Sequence, residues 1–361
     1  MEAVALGRDL VSVAQPASGS CRILMRASRQ GSAVQNPAPY AGLTPDVVLD
    51  ALESVGLSGD GRMLALNSYE NRVYRVAMDD GPPYVAKFYR PNRWTDAQIL
   101  EEHAFVRELS ENEIPVVAPL PIAGERTLCT FAGYRFAVYA NRGGRAPELE
   151  DRATREWLGR FIGRIHAVGA RAPFRERPAL DIASFGEEPR DWLFAHDFIP
   201  SDLIDAYRAV IELALAGVRR CFERAGEVNT LRLHGDCHAG NVLWLPDAGP
   251  HFVDFDDSRS GPAIHDLWML LSGDRDEMAR QLSDVLAGYE GFRDLDRHEL
   301  NLIEALRTLR LIHYAAWLAR RWDDPAFPAA FPWFNTQRYW QDRILELREQ
   351  VAAMDEEPLV V

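Results

Sequence analysis

An aspartate, an asparagine five positions on, and a second aspartate further along (Asp236, Asn241 and Asp254) have the spacing that metal-assisted phosphoryl transfer requires. They lie in HGDCHAGN, His234 to Asn241, and FVDFDD, Phe252 to Asp257. Phosphoryl transfer asks for little covalent help. It needs a divalent metal to neutralise nucleotide phosphates and a carboxylate to orient the attacking hydroxyl and take its proton. Asp236 is the candidate base, a role that contributes about 10²–10⁴ in rate. Asn241 offers a neutral oxygen and Asp254 a charged one to Mg²⁺, which takes few protein oxygens and keeps phosphate and water in its other positions. Asp254 competes with Asp256, Asp257 and Asp266, and is preferred because it follows an apolar pair at an expected strand end. Asp256 is a candidate for a second metal, and Asp257 is expected in solvent or bonded to the loop. Asp266, before LWMLL, caps a helix or holds the catalytic loop. His234 and His238 flank the base, but magnesium prefers oxygen, so His234 reads as a loop anchor.

The same parts occur in protein kinases as H-R-D-x4-N and D-F-G. Here Gly235 stands for the arginine and Asp256 for the glycine. Lys87, in VAKFY, stands where a small-lobe lysine holds the α- and β-phosphates and pairs with a helix carboxylate. That carboxylate is Glu101 or Glu102. Glu102 is preferred, since Phe105 and Val106 at plus three and plus four place it beside the buried face. NSYEN, Asn67 to Asn71, occupies the place of a nucleotide-covering loop without G-x-G-x-x-G. Ser68 and nearby amides can bond phosphate oxygens there, as turn amides do; an ordinary hairpin turn is the other reading. Arg307, Arg310, Tyr314, Trp317 and Arg321 recur at 3-4 spacing and share a helix face. That face binds an acidic acceptor, ties down the catalytic loop, or is ion-paired packing.

These residues need a frame. TPDVVLDALESV, Thr44 to Val55, reads as a helix capped by Thr44 with Pro45 in its first turn. Strands follow on either side of Asn67–Glu70, then a turn at Asp79–Pro82 and the strand YVAKFY. Thr95 to Ser110 is helical, and two strands come near 128–131 and 134–139. From Asp151 helices dominate, over 151–168, 201–225 and 307–322. Short strands are expected at 231–233, 242–244 and 252–255. The tract Asp324 to Phe334 is too proline-rich for a helix and reads as an ordered loop. The pattern predicts an α+β, bilobal, kinase-like fold. Residues 1–40 form a disordered extension, 41–140 a small β-rich N-lobe, and 141–361 a helical C-lobe carrying the catalytic and metal loops.

Composition narrows the partners. A chain of 361 residues, 47% hydrophobic, suffices for two lobes with a real core. Its net charge of −14 argues against nucleic acid, because a backbone binder needs a basic surface. Four scattered cysteines with no CxxC pairing fit a reducing compartment without disulfides or zinc. No run reaches the length of a membrane span.

Together LNSYENRVY, VAKFYRPNRWTDAQILEEHAF, LRLHGDCHAGNVLW, FVDFDDSRSGPAIHDLWMLL and WLARRWDDPAFPAAFPWF resemble the bacterial stress response kinase A family. That family is a branch of the aminoglycoside phosphotransferase and choline kinase superfamily. The resemblance runs from about Thr44 to Trp340. It implies a cytoplasmic, monomeric, ATP-dependent kinase that phosphorylates serine or threonine on a protein substrate, needs Mg²⁺ and serves stress survival. It also implies Asp236 as proton acceptor, Asn241 and Asp254 as magnesium ligands with Asp254 an active-site residue, and Ser68 as an ATP contact. The family pattern lacks the N-terminal extension. Two other readings stand beside it: a small-molecule kinase for an amino alcohol, sugar or aminoglycoside, and a nucleotide-binding scaffold without turnover.

Overall fold

The computed structural model describes residues 38–122, 124–245 and 249–361. The expectation for the extension therefore falls mostly outside the described residues. Within them, Tyr40 is already engaged, its hydroxyl donating to the Glu70 carbonyl at 3.1 Å.

The small lobe runs α1 (Pro45–Glu53), β1 (Gly59–Leu66), β2 (Arg72–Met78), β3 (Tyr84–Phe88), α2 (Asp96–Glu111), β4 (Cys129–Phe131) and β5 (Tyr134–Ala140). Its five strands form one sheet in the order β1-β2-β3-β5-β4. The pairings are antiparallel, so short turns suffice between β1, β2 and β3. Lys87 sits on the central strand β3, opposite Val73 and Ala137. Side chains alternate along a strand. Ala86 and Phe88 therefore go into the core with Val48 and Leu52 of α1, while Lys87 goes to the other face. Thr95 and Gln98 form a capping box that starts α2, two donors satisfied reciprocally.

The large lobe contains α3 (Arg152–Gly169), α4 (Glu188–Ala195), α5 (Ile204–Ala225), β6 (Leu231–Leu233), β7 (Val242–Leu245), β8 (Gly249–Phe252), β9 (Arg259–Gly261), α6 (Ile264–Trp268), α7 (Arg275–Tyr289), α8 (Ile303–Ala319), α9 (Ala326–Ala330) and α10 (Gln337–Met354). α3 and α7 pack closely because glycines face backbone. A Cβ at Gly159 would lie 1.9 Å from the Val285 carbonyl oxygen, and one at Gly288 1.9 Å from that of Glu156.

Three local expectations change. The strand expected over 252–255 ends at Phe252, and Asp254 lies beyond it in a left-handed conformation, φ +60°. β9, which pairs with β6, is a strand the short RSG sequence did not signal. The proline-rich tract holds a helix after all, α9, flanked by Pro325 and carrying Pro328 in its first turn. First-turn N–H groups have no intrahelical partner, so proline loses nothing there.

Candidate active site

The buried strand β6 delivers the chain to His234, Gly235 and Asp236. Gly235 has φ +85°, and a Cβ there would lie 2.0 Å from the Asp257 carbonyl oxygen. Both facts demand glycine, which explains why no arginine precedes the aspartate. Asp266, fully buried in α6, accepts from the His234 amide at 2.8 Å and the Gly235 amide at 2.9 Å. His166 reaches the same carboxylate at 3.1 Å. Asp266 therefore holds the loop bearing Asp236 rather than capping a helix. His234 Nε2 lies 3.0 Å from the Val253 carbonyl oxygen, tying this loop to the one bearing Asp254.

Asp236 takes a hydrogen bond from Arg310 Nη2 at 2.7 Å through Oδ1. Its Oδ2 is 3.4 Å from His238 Nε2. Burial alone would raise this carboxyl, but Arg310 and His238 outweigh it and hold it well below the usual carboxylate range. Asn241 donates through Nδ2 to the Asp236 carbonyl at 2.9 Å and to its carboxylate at 3.3 Å. The amide is thereby oriented, with Oδ1 accepting no hydrogen bond among the described residues. The Val253 amide donates to the Asn241 carbonyl at 3.0 Å, so Asn241 and Asp254 are carried side by side.

Asp254 is half exposed and accepts from Lys87 Nζ at 2.8 Å through Oδ1. Its Oδ2 takes no hydrogen bond among the described residues. An oriented amide oxygen and an accessible carboxylate oxygen suit a hard divalent cation. Among the described residues no group of three His, Cys, Asp or Glu side chains could hold a metal.

Lys87 is buried, yet it does not pair with Glu102. Its partners are Asp254 and, at 2.6 Å, Asp256 Oδ1. Burial works against the charge, but these carboxylates outweigh it and raise the lysine well above its ordinary value. Asp256 is likewise engaged on its other oxygen, which receives Asn71 Nδ2 and Arg93 Nη1, the latter at 3.2 Å. A second-metal role does not fit a carboxylate so occupied. Glu102 is buried, with Oε2 making no hydrogen bond among the described residues. Burial, aided by the Asp256 charge, pushes its carboxyl up to about 7 against the pull of Lys87. Asp256 displaces it because the turn Phe255–Asp257 brings that carboxylate to the lysine. Glu101 serves elsewhere and accepts the backbone amides of Arg175, Glu176 and Arg177 at 2.6, 2.8 and 2.7 Å.

Ser68 is half-buried in the bend joining β1 to β2 and makes no side-chain hydrogen bond among the described residues. Asp257 binds Arg93 and Arg259, each at 2.9 Å. The helix expected over 307–322 ends at Ala319, leaving Arg321 in the turn after α8, and the stripe divides among several partners. Arg310 reaches Asp236, Arg321 and Trp317 reach Glu70 between β1 and β2, and Arg307 pairs with Glu304. Its 3-4 spacing flagged the stripe, but nothing in the sequence assigned those partners.

A model of the phosphotransferase enzyme family matches residues 63–301. Stress response kinase A of Escherichia coli (strain K12) is 44% identical over 320 residues, which is 89% of this chain and 96% of that protein. Serine/threonine protein kinase RdoA of Salmonella typhimurium is 44% identical over 324 residues, covering 90% and 97%. Among solved structures, amicoumacin kinase hAmiN, determined with AMP-PNP, Ca²⁺ and amicoumacin, superposes with a TM-score of 0.67 at 20% identity, covering 87% of this chain and 94% of that one. A microcompartment-associated aminopropanol kinase gives 0.66 at 18% identity, covering 86% and 96%.

Proposed function

The chain belongs to the phosphotransferase enzyme family, and on that premise we propose that it is an ATP-dependent protein kinase acting on serine or threonine in a cellular stress response. The observation that carries this is the convergence of Asp236, Asn241 and Asp254 in two tied loops, met across the cleft by Lys87 at 2.8 Å from Asp254. Similarity to kinases bearing those names across nine-tenths of the chain supports the protein acceptor.

In this reading Asp236 hydrogen-bonds the acceptor hydroxyl and takes its proton as the γ-phosphoryl group arrives. Its depressed basicity suits orientation of the hydroxyl in a loose, metaphosphate-like transfer, which asks little of a base until late. Lys87 holds the α- and β-phosphates, positioned by Asp256 rather than by Glu102. Ser68 and its neighbouring amides cover the phosphates. Asn241 and Asp254 hold Mg²⁺, which neutralises phosphate charge when bound. The enzyme is read as a cytoplasmic monomer without nucleic-acid or membrane partners. No helix among the described residues is long and apolar enough to cross a membrane.

A small-molecule acceptor is the second reading. A net charge of −14 suits a cationic acceptor, and the fold neighbours include an aminopropanol kinase. The chain should be incubated with radiolabelled ATP and Mg²⁺, together with a generic protein acceptor and a panel of amino alcohols, sugars and aminoglycosides. Label on protein is expected. Label confined to a metabolite sinks the protein-kinase reading, and no transfer at all leaves only a nucleotide-binding scaffold.

A further inference from the structure

Two acidic side chains join the lobes reciprocally. Glu70 belongs to the small-lobe covering loop and is buried. Its carboxylate receives Trp317 Nε1 at 2.7 Å and lies 2.6 Å from Arg321 Nε, both from the large lobe. Asp324 belongs to the large lobe and is also buried. Its carboxylate receives Arg90 Nη1 at 2.9 Å and Arg72 Nη2 at 3.4 Å, both from the small lobe. The Tyr69 ring packs on Phe331 with centroids 4.7 Å apart, closing the same junction. Buried charges are costly to desolvate, and simple lobe packing is served as well by apolar residues. Four charge-bearing contacts at one junction therefore point to a demand for geometry.

The geometry leads to the nucleotide site. Asn71, next to Glu70, donates to Asp256, and Asp256 pairs with Lys87. The position of the covering loop, and through it of the lysine, is set from α8 and the segment that follows it. We propose that Glu70 and Asp324 are positioning residues for ATP, which fix the covering loop over the phosphates by clamping it to the large lobe. This rests on the reading of Asn67–Asn71 as the nucleotide-covering loop.

The test uses the full chain, Mg²⁺ and a fluorescent ATP analogue. Asp324→Asn keeps the volume and removes the charge. It should weaken analogue binding and raise the KM for ATP by about tenfold, the size of one lost charge-assisted contact, while kcat at saturating ATP stays within about twofold. Glu70→Gln keeps an acceptor for Trp317 and should lose less, in the same direction. A purely structural role would lower the melting temperature and leave this split unmoved. In the wild-type chain, hydrogen exchange should show amides of 67–71 and 321–327 gaining protection together when the analogue binds. Equal affinity in both folded variants, or protection confined to 67–71, overturns the clamp. If the wild-type chain fails to bind the analogue at all, the nucleotide reading beneath it falls as well.

Discussion

At the level of single residues, function rests on a few oxygens and on what holds them. Replacing Asp236 by Asn should lower kcat by about 10²–10⁴. Binding of an ATP analogue should stay near wild type, since Asp236 is assigned to the acceptor. Near-normal turnover would remove it from the role of base. Asn241→Ala should raise the magnesium concentration needed for half-maximal activity, measured by metal titration; an unchanged requirement would take the ion away from this residue. Glu102 makes a pH prediction. Its folded-state value of about 7 lies above the ordinary 4.5, so the folded chain holds a proton that the unfolded chain releases. The resulting stability is fully present below about pH 4.5 and is lost as pH rises towards 7. Glu102→Gln should flatten the fall in melting temperature across that window; an identical slope would mean the carboxyl titrates normally. Asp236, Asn241, Asp254 and Lys87 were all legible as candidates, because residue type and spacing are written in the chain. Asp256 as the lysine's partner was not. Glu102 and Asp256 are equally acidic on paper, and only the turn after Asp254 brings one of them to Nζ.

At the level of elements, close approach decides what the sequence tolerates. Gly159→Ala would push a methyl group into the α7 backbone. It should cost about 1–3 kcal/mol, the range for overpacking, and lower the melting temperature. An unchanged melt would show that the two helices separate freely. The stretch from Asp254 to Asp266 is filled by a single turn, β9 and the start of α6. It has no room for a long phosphorylatable activation loop, so phosphatase-treated enzyme should keep its activity. Loss of activity after treatment would point to a modified residue elsewhere as the control. The capped helices α1 and α2 could be read from their Thr-initiated patterns. α9 could not, because prolines break a helix or begin one according to a first-turn position that only the fold specifies.

At the level of the whole molecule, the cleft is the product of two lobes tied together. Strands followed by helices, the spacing of Asp236, Asn241 and Asp254, and Lys87 in the strand YVAKFY were enough to determine an α+β bilobal phosphotransferase. Each of those signals is local: periodicity records which face is buried, and a loop motif records which atoms it presents. What the tertiary structure decided is pairing across distance. Arg310 lies on Asp236, Asp266 under Gly235, and Arg90 on Asp324. A chain with 40 Lys and Arg against 54 Asp and Glu admits a great many salt bridges. Coulomb attraction depends on distance in space and carries no sequence address, so the choice among them is made only when the chain folds.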